Sequence, residues 1–135
     1  MTYRSIDVTP LTPHIGAEIT GIDLTKPLST DQVTDLKQAL ADHLAIFFRD
    51  QILDFESHKI LANHFGGIHI APSTAPWRVP GHPEVTTIHA DKDSTFVAGE
   101  DWHSDMSCDS EPPLGSILYL HTVPEPGGDT VFSSM

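Results

Sequence analysis

The chain has 135 residues with 19 acidic and 7 basic side chains, a formal net charge of −12, and 39% hydrophobic against 19% charged residues. This balance supports one folded domain with a core and excludes wholesale disorder, and the negative charge argues against nucleic-acid and membrane partners. The longest apolar run is too short to span a bilayer, no basic-then-apolar leader follows Met1, and a lone Cys108 rules out an internal disulfide, so a reducing, cytoplasmic setting is expected.

Residues 15–24 alternate apolar and polar positions between Gly16 and Gly21 and read as a short strand with turns. Ser29-Thr30-Asp31-Gln32 is a capping box, and Val33, Leu36, Ala39 and Leu40 follow at helical spacing. Together they predict a helix from about Thr30 to His43. The apolar run 44–48 reads as a buried strand ending at Arg49-Asp50-Gln51. Asp54 then caps a second helix that buries Phe55, Ile60, Leu61 and Phe65 on one side and stops at Gly66-Gly67.

The second half is richer in breakers. Residues 72–83 hold four prolines and a glycine and read as a loop. Residues 85–89 are a strand candidate, and 91–101 form a polar loop. Strands are expected at 102–107, at 115–121 beyond the break of Pro112-Pro113, and from 130 to 132 after the turn at 124–129. Two helices followed by several short strands indicate an α+β domain with a β-sandwich or jelly-roll portion. From Asp91 onward there are nine acidic residues and a single basic one, Lys92. Such density is ordinarily a solvated face; otherwise it surrounds a cation or meets basic groups from elsewhere.

The chemistry concentrates in Trp102-His103-Ser104-Asp105 and Gly127-Gly128-Asp129-Thr130. On an extended segment, side chains two residues apart point the same way. His103 and Asp105 therefore aim one imidazole nitrogen and one carboxylate oxygen at a common point. With a second His they would form the facial triad that holds non-haem Fe(II) and leaves positions open for substrate chemistry. By itself this spacing is more often a surface pair. His69, His89 and His121 lie on or beside expected strands and read as hydrogen-bonded histidines rather than ligands. Trp102 is expected to pack in the core rather than to wall a substrate. Cys108 has no basic neighbour and is expected to be unreactive. Gly127-Gly128 is not a phosphate loop, since no Lys follows and the glycines open no helix.

Taken together, several segments resemble the taurine dioxygenase (TauD/TfdA) family of Fe(II)- and 2-oxoglutarate-dependent oxygenases. They are Gly16-Ala17-Glu18-Ile19-Thr20-Gly21-Ile22-Asp23-Leu24, Pro27-Leu28, Phe47-Phe48-Arg49-Asp50-Gln51, Phe65-Gly66, Trp102-His103-Ser104-Asp105, Pro112-Pro113 and Gly127-Gly128-Asp129-Thr130. The resemblance implies a double-stranded β-helix (jelly roll) with flanking helices, of which residues 1–135 are the N-terminal part of a single domain. It implies His103 and Asp105 as the first two iron ligands, Thr130 as a hydrogen-bonding partner of 2-oxoglutarate, and His69 and Met106 on the substrate side. The family completes its site with a distal His and an Arg, neither of which has a counterpart here. Taurine-binding relatives carry a second His where this chain has Ala71, and an Asn where it has Gly99, which argues against taurine itself.

The expected activity is hydroxylation of a small, anionic organic substrate, with O2 consumed and 2-oxoglutarate converted to succinate and CO2. Three protein ligands leave three positions on an octahedral metal for the oxo acid and dioxygen. The distal carboxylate of 2-oxoglutarate would normally meet an Arg, and no Lys or Arg follows Lys92. One rival reading is a non-catalytic fragment or degenerate relative acting in binding or assembly. Another is a metal hydrolase, which lacks an evident third ligand and general base. A jelly roll without its later strands exposes open edges, which leaves a homo-oligomer open.

Overall fold

The apolar positions of residues 15–24 and 44–48 are drawn together because strands must pair their backbone groups. In the computed structural model, which describes residues 3–134, β1 (Asp7–Pro10) lies antiparallel to β2 (Ala17–Thr20). β2 in turn lies parallel to β3 (Ile46–Phe48), with Ala17 opposite Ile46 and Ile19 opposite Phe48. Parallel neighbours cannot be joined by a hairpin, so the chain crosses over through α1 (Thr30–His43), which lies against β3. Met1, Thr2 and Met135, where the leader reading and the chain end fall, lie outside the described residues.

The helix α1 has the bounds its sequence predicts. The Ser29 hydroxyl accepts the Gln32 N–H at 3.2 Å, and the Gln32 side-chain oxygen accepts the Ser29 N–H at 2.9 Å. At its other end Leu44 takes a left-handed conformation (φ 64°) and donates its N–H to the Leu40 carbonyl. That cap uses up Leu44, so β3 begins at Ile46 rather than at the start of the apolar run. Leu36 and Ala39 of α1 are buried, as are Ala17 and Ile19, Ile6 before β1 and Leu24 after β2. Ala17 and Ile19 alternate with the less buried Glu18 and Thr20, as one face of a strand requires.

Polar side chains tie the ends of these elements. Asp35 of α1 accepts the backbone N–H groups of Arg4 and Ser5, both at 2.8 Å, and the Ser5 hydroxyl at 2.7 Å. Gln51 accepts the Leu24 N–H at 2.9 Å and donates to the Arg49 carbonyl at 3.1 Å. Gly16 has φ +90°, and a Cβ there would stand 3.3 Å from the Phe47 ring, so the close approach of β2's entry to that ring requires glycine. Phe132 meets Phe47 edge-on, with ring centroids 5.6 Å apart. Residues 58–118 form a second compact unit, and the remainder form the first.

α2 (Phe55–His64) starts where Asp54 accepts the Ser57 N–H at 2.7 Å, as expected, and buries Leu61, while Phe55 and Ile60, also expected to be buried, are exposed. Residues 72–83 are not the uniform loop that their prolines suggest. A 3-10 helix (Pro72–Trp77) runs into β4 (Arg78–Val79), which turns at Gly81 into the antiparallel β5 (His82–Thr86). Pro72 at the head of that turn supplies a fixed φ where no amide donor is needed, and Arg78 holds the turn by donating to the Ala71 carbonyl at 2.7 Å. β5 therefore begins three residues before the strand expected at 85–89 and shares Val85 and Thr86 with it.

The strands expected at 102–107, 115–121 and 130–132 do not form among the described residues. Alternating composition makes an extended segment, but a strand exists only through the ladder to a neighbour, and these segments have none. Their apolar side chains stay outside: Leu118 is 59% exposed and Val131 65%.

Two predictions follow from this packing. Leu36→Ala should destabilise the protein by about 2–5 kcal/mol, read as a lower urea midpoint in the helical circular dichroism signal. An unchanged midpoint would show that the buried face of α1 does not hold the fold. The Ser5 hydroxyl and the two backbone N–H groups hold the Asp35 carboxyl below its usual range. Its stabilising effect is therefore full above the ordinary carboxylate value and is lost as pH falls through the lowered folded value. Asp35→Asn should remove that acid-side loss from the stability–pH curve, and a curve identical to that of the parent would contradict the assignment.

Candidate metal centre

Residues 102–104 have no regular secondary structure and lead into a turn over 105–108. The turn is closed by the Asp109 N–H on the Met106 carbonyl at 3.1 Å and by a 2.6 Å hydrogen bond between the Ser104 and Ser107 hydroxyls. Met106 sits in the left-handed region with φ 51°, an uncommon conformation for a side-chain-bearing residue. This turn replaces the second half of the expected strand, and it begins at Asp105.

The imidazole of His103 is fixed from both sides. Its Nδ1 lies 2.7 Å from the Asp101 carbonyl, and a carbonyl only accepts, so Nδ1 carries a proton. Nε2 is then the nitrogen that a metal could take in place of its proton, the arrangement that metal-binding histidines commonly owe to such a partner. A Cβ on Gly99 would lie 3.2 Å from His103 Cε1, so the ring stands close over the Gly99 backbone. His103 Nε2 is 3.1 Å from Asp105 Oδ1. Metal bonds of about 2.0–2.2 Å at right angles place their donor atoms roughly 3 Å apart, so this spacing matches two adjacent corners of an octahedron. One imidazole nitrogen and one carboxylate oxygen also suit Fe(II) chemically. Among the described residues no group of three or more His, Cys, Asp or Glu side chains gathers to hold a metal. The pair therefore fits two corners of such a site.

Without a metal, the Asp101 carbonyl raises the pKa of His103 most; desolvation, the next largest effect, lowers it, and the charge and hydrogen bond of Asp105 raise it further. The other oxygen of Asp105, Oδ2, accepts the Ser116 hydroxyl at 2.6 Å.

Of the residues expected on the substrate side, His69 pairs through Nε2 with Asp109 Oδ2 at 3.3 Å, which ties it to the end of the turn that carries Met106. Thr130 belongs to the first unit and lies on an exposed stretch without regular structure. His89 pairs with Asp91 at 3.2 Å and His121 with Thr122 at 3.1 Å, in keeping with their reading as hydrogen-bonded histidines. Trp102, expected to pack in the core, is instead 70% exposed. The extended segment it sits on has no neighbouring strand to cover it. Sequence reasoning missed Asp109 and Ser116. Asp109 was hidden in an acidic run. Ser116 was signalled only as a polar position within an apolar stretch.

Comparison with known proteins places these features in a wider group. The model of the family described as "Taurine catabolism dioxygenase TauD, TfdA family" matches residues 7–135. The chain is 32% identical to an alpha-ketoglutarate-dependent dioxygenase, cnsM, of Penicillium expansum, over 98% of this chain and 39% of the relative. It is 31% identical to an alpha-ketoglutarate-dependent sulfate ester dioxygenase of Pseudomonas putida, over 96% of this chain and 42% of that protein. The crystal structure of a taurine dioxygenase from Burkholderia xenovorans superposes with a TM-score of 0.57 at 40% identity, covering 62% of this chain and 29% of that one. The chain thus spans about two-fifths of the length of these curated relatives.

In the metal-free protein His103 should titrate above the ordinary histidine value of about 6.5. Because its folded pKa is raised, the stability it contributes is full below the unfolded value and is lost as pH rises through the folded one. Ring-nitrogen NMR should show the midpoint falling in Asp105→Asn. A midpoint at or below the ordinary value in the parent protein would refute the hydrogen-bonding pattern.

Proposed function

The chain belongs to the taurine catabolism dioxygenase TauD, TfdA family, and from this membership we propose that it forms part of an Fe(II)- and 2-oxoglutarate-dependent dioxygenase. In this reading the fold is the double-stranded β-helix, to which the two small sheets and their flanking helices contribute. The single observation that carries the proposal is the approach of His103 Nε2 to Asp105 Oδ1 at 3.1 Å within the family-matching segment.

His103 and Asp105 would hold the iron, with a further His completing the triad. When bound, iron and 2-oxoglutarate supply the oxidising chemistry, in which O2 is consumed, the oxo acid yields succinate and CO2, and a substrate C–H becomes C–OH. The residues of this chain prepare that site. The Asp101 carbonyl keeps the His103 proton on Nδ1, so that Nε2 presents its lone pair once its own proton has left. The carboxylate of Asp105 offsets part of the metal's charge. The Thr130 hydroxyl would donate a hydrogen bond to the co-substrate. His69 and Met106 would line the substrate side, where His69, steadied by Asp109, offers a polar contact to an anion.

The substrate is a small organic anion other than taurine, a reading supported by Ala71 and Gly99. A side chain at Gly99, which has φ +85°, would also press on the His103 ring. Among the described residues no helix is long and apolar enough to cross a membrane. With a net charge of −12, the protein is read as cytoplasmic, with small-molecule and O2 partners, no nucleic-acid or membrane partner, and a homo-oligomer left open.

In the intact protein, His103→Ala and Asp105→Ala should each abolish substrate-dependent conversion of 2-oxoglutarate to succinate, a loss exceeding the roughly 10- to 100-fold that removing an outer partner of a ligand costs. Undiminished turnover in either variant would sink the assignment.

A further inference from the structure

A carboxylate that offers one oxygen to a metal can pivot about its Cβ–Cγ bond, and nothing in a half-exposed side chain stops it. Asp105 is such a side chain, 52% exposed, on a turn rather than in a ladder. Its two oxygens are nevertheless distinguished. Oδ1 faces His103 Nε2 at 3.1 Å, while Oδ2 accepts the Ser116 hydroxyl at 2.6 Å, a short bond of the charge-assisted kind. Ser116 lies eleven residues downstream, beyond Pro112-Pro113, so the bond fastens the turn to a separate stretch of chain.

We propose that Ser116 is a positioning residue for metal binding. Its hydroxyl occupies Oδ2, fixes the rotation of the Asp105 carboxylate and presents Oδ1 alone toward the corner beside His103 Nε2. The inference rests on the reading of His103 and Asp105 as metal ligands, and it adds a specific outer partner that keeps the carboxylate one-toothed. Ser116 itself touches no metal. Its effect is to leave less conformational freedom to be lost when the metal binds and to withhold the second oxygen from chelation.

The test measures Mn(II) affinity by anaerobic titration calorimetry in the intact protein, with circular dichroism as a check on folding. Ser116→Val and Ser116→Thr are compared because the two new side chains have nearly the same shape and only Thr keeps the hydroxyl. Ser116→Val should weaken Mn(II) binding about 10- to 100-fold, the usual effect of losing an outer partner of a ligand, and Ser116→Thr should stay near the parent. The electron paramagnetic resonance spectrum of bound Mn(II) should also change in the Val variant, because the freed carboxylate can chelate. Asp105→Ala separates the two levels of the argument. If it abolishes binding while the Val and Thr variants bind alike, Ser116 has no positioning role and the metal site stands. If Asp105→Ala binds as the parent does, the metal reading fails and this inference falls with it.

Discussion

Every backbone amide and carbonyl removed from water needs a partner, and the pairing of β2 with β3 is where this chain first meets that demand over long range. Ala17 and Ile46 are opposite one another in a parallel ladder, although 29 residues separate them in sequence. A parallel ladder requires a crossover, and the crossover supplies α1, whose Leu36 and Ala39 are buried. The remaining ties then have fixed ends to hold. Asp35 fastens the segment before β1, Gln51 joins the exits of β2 and β3, and Gly16 admits the Phe47 ring.

The same demand explains why the candidate metal centre is built locally. The 102–107 segment gains no ladder, so its side chains are organised by turns and by short hydrogen bonds instead. His103 is held by a carbonyl two residues before it, and Asp105 is partnered by one hydroxyl farther along. Such anchors set the direction of a side chain without burying it, and His103 and Asp105 both remain about half exposed. The electrostatic setting agrees with a cation. No Lys or Arg follows Lys92, so the cationic group of this stretch that meets Asp105 is the protonated imidazole of His103.

Much of the first half was legible because its signals are short-range. The capping box of Ser29 and Gln32 and the helical spacing that follows fix α1 from neighbouring residues alone, and Asp54 does the same for the start of α2. Residues 72–83 were less legible. Prolines there suggested a loop, yet Pro72 opens a 3-10 turn and Gly81 closes a hairpin, since the same residue types serve both outcomes. The stretches 102–107, 115–121 and 130–132 have strand composition, but composition cannot supply a neighbour, and Trp102 stays exposed for that reason.

The sequence by itself determined the pairing of chemistries, a His and an Asp two residues apart, because such close spacing keeps the two side chains near one another even where a turn replaces the strand. It likewise determined the helix starts and the turns that need glycine. Tertiary structure alone decided which oxygen of Asp105 the Ser116 hydroxyl engages. It also decided that Ser116 and Asp109, each remote in sequence from the residue it contacts, belong beside the site. Those choices depend on where one segment of chain comes to rest against another, and hydrogen-bond partners eleven or forty residues apart leave no periodic trace in the sequence.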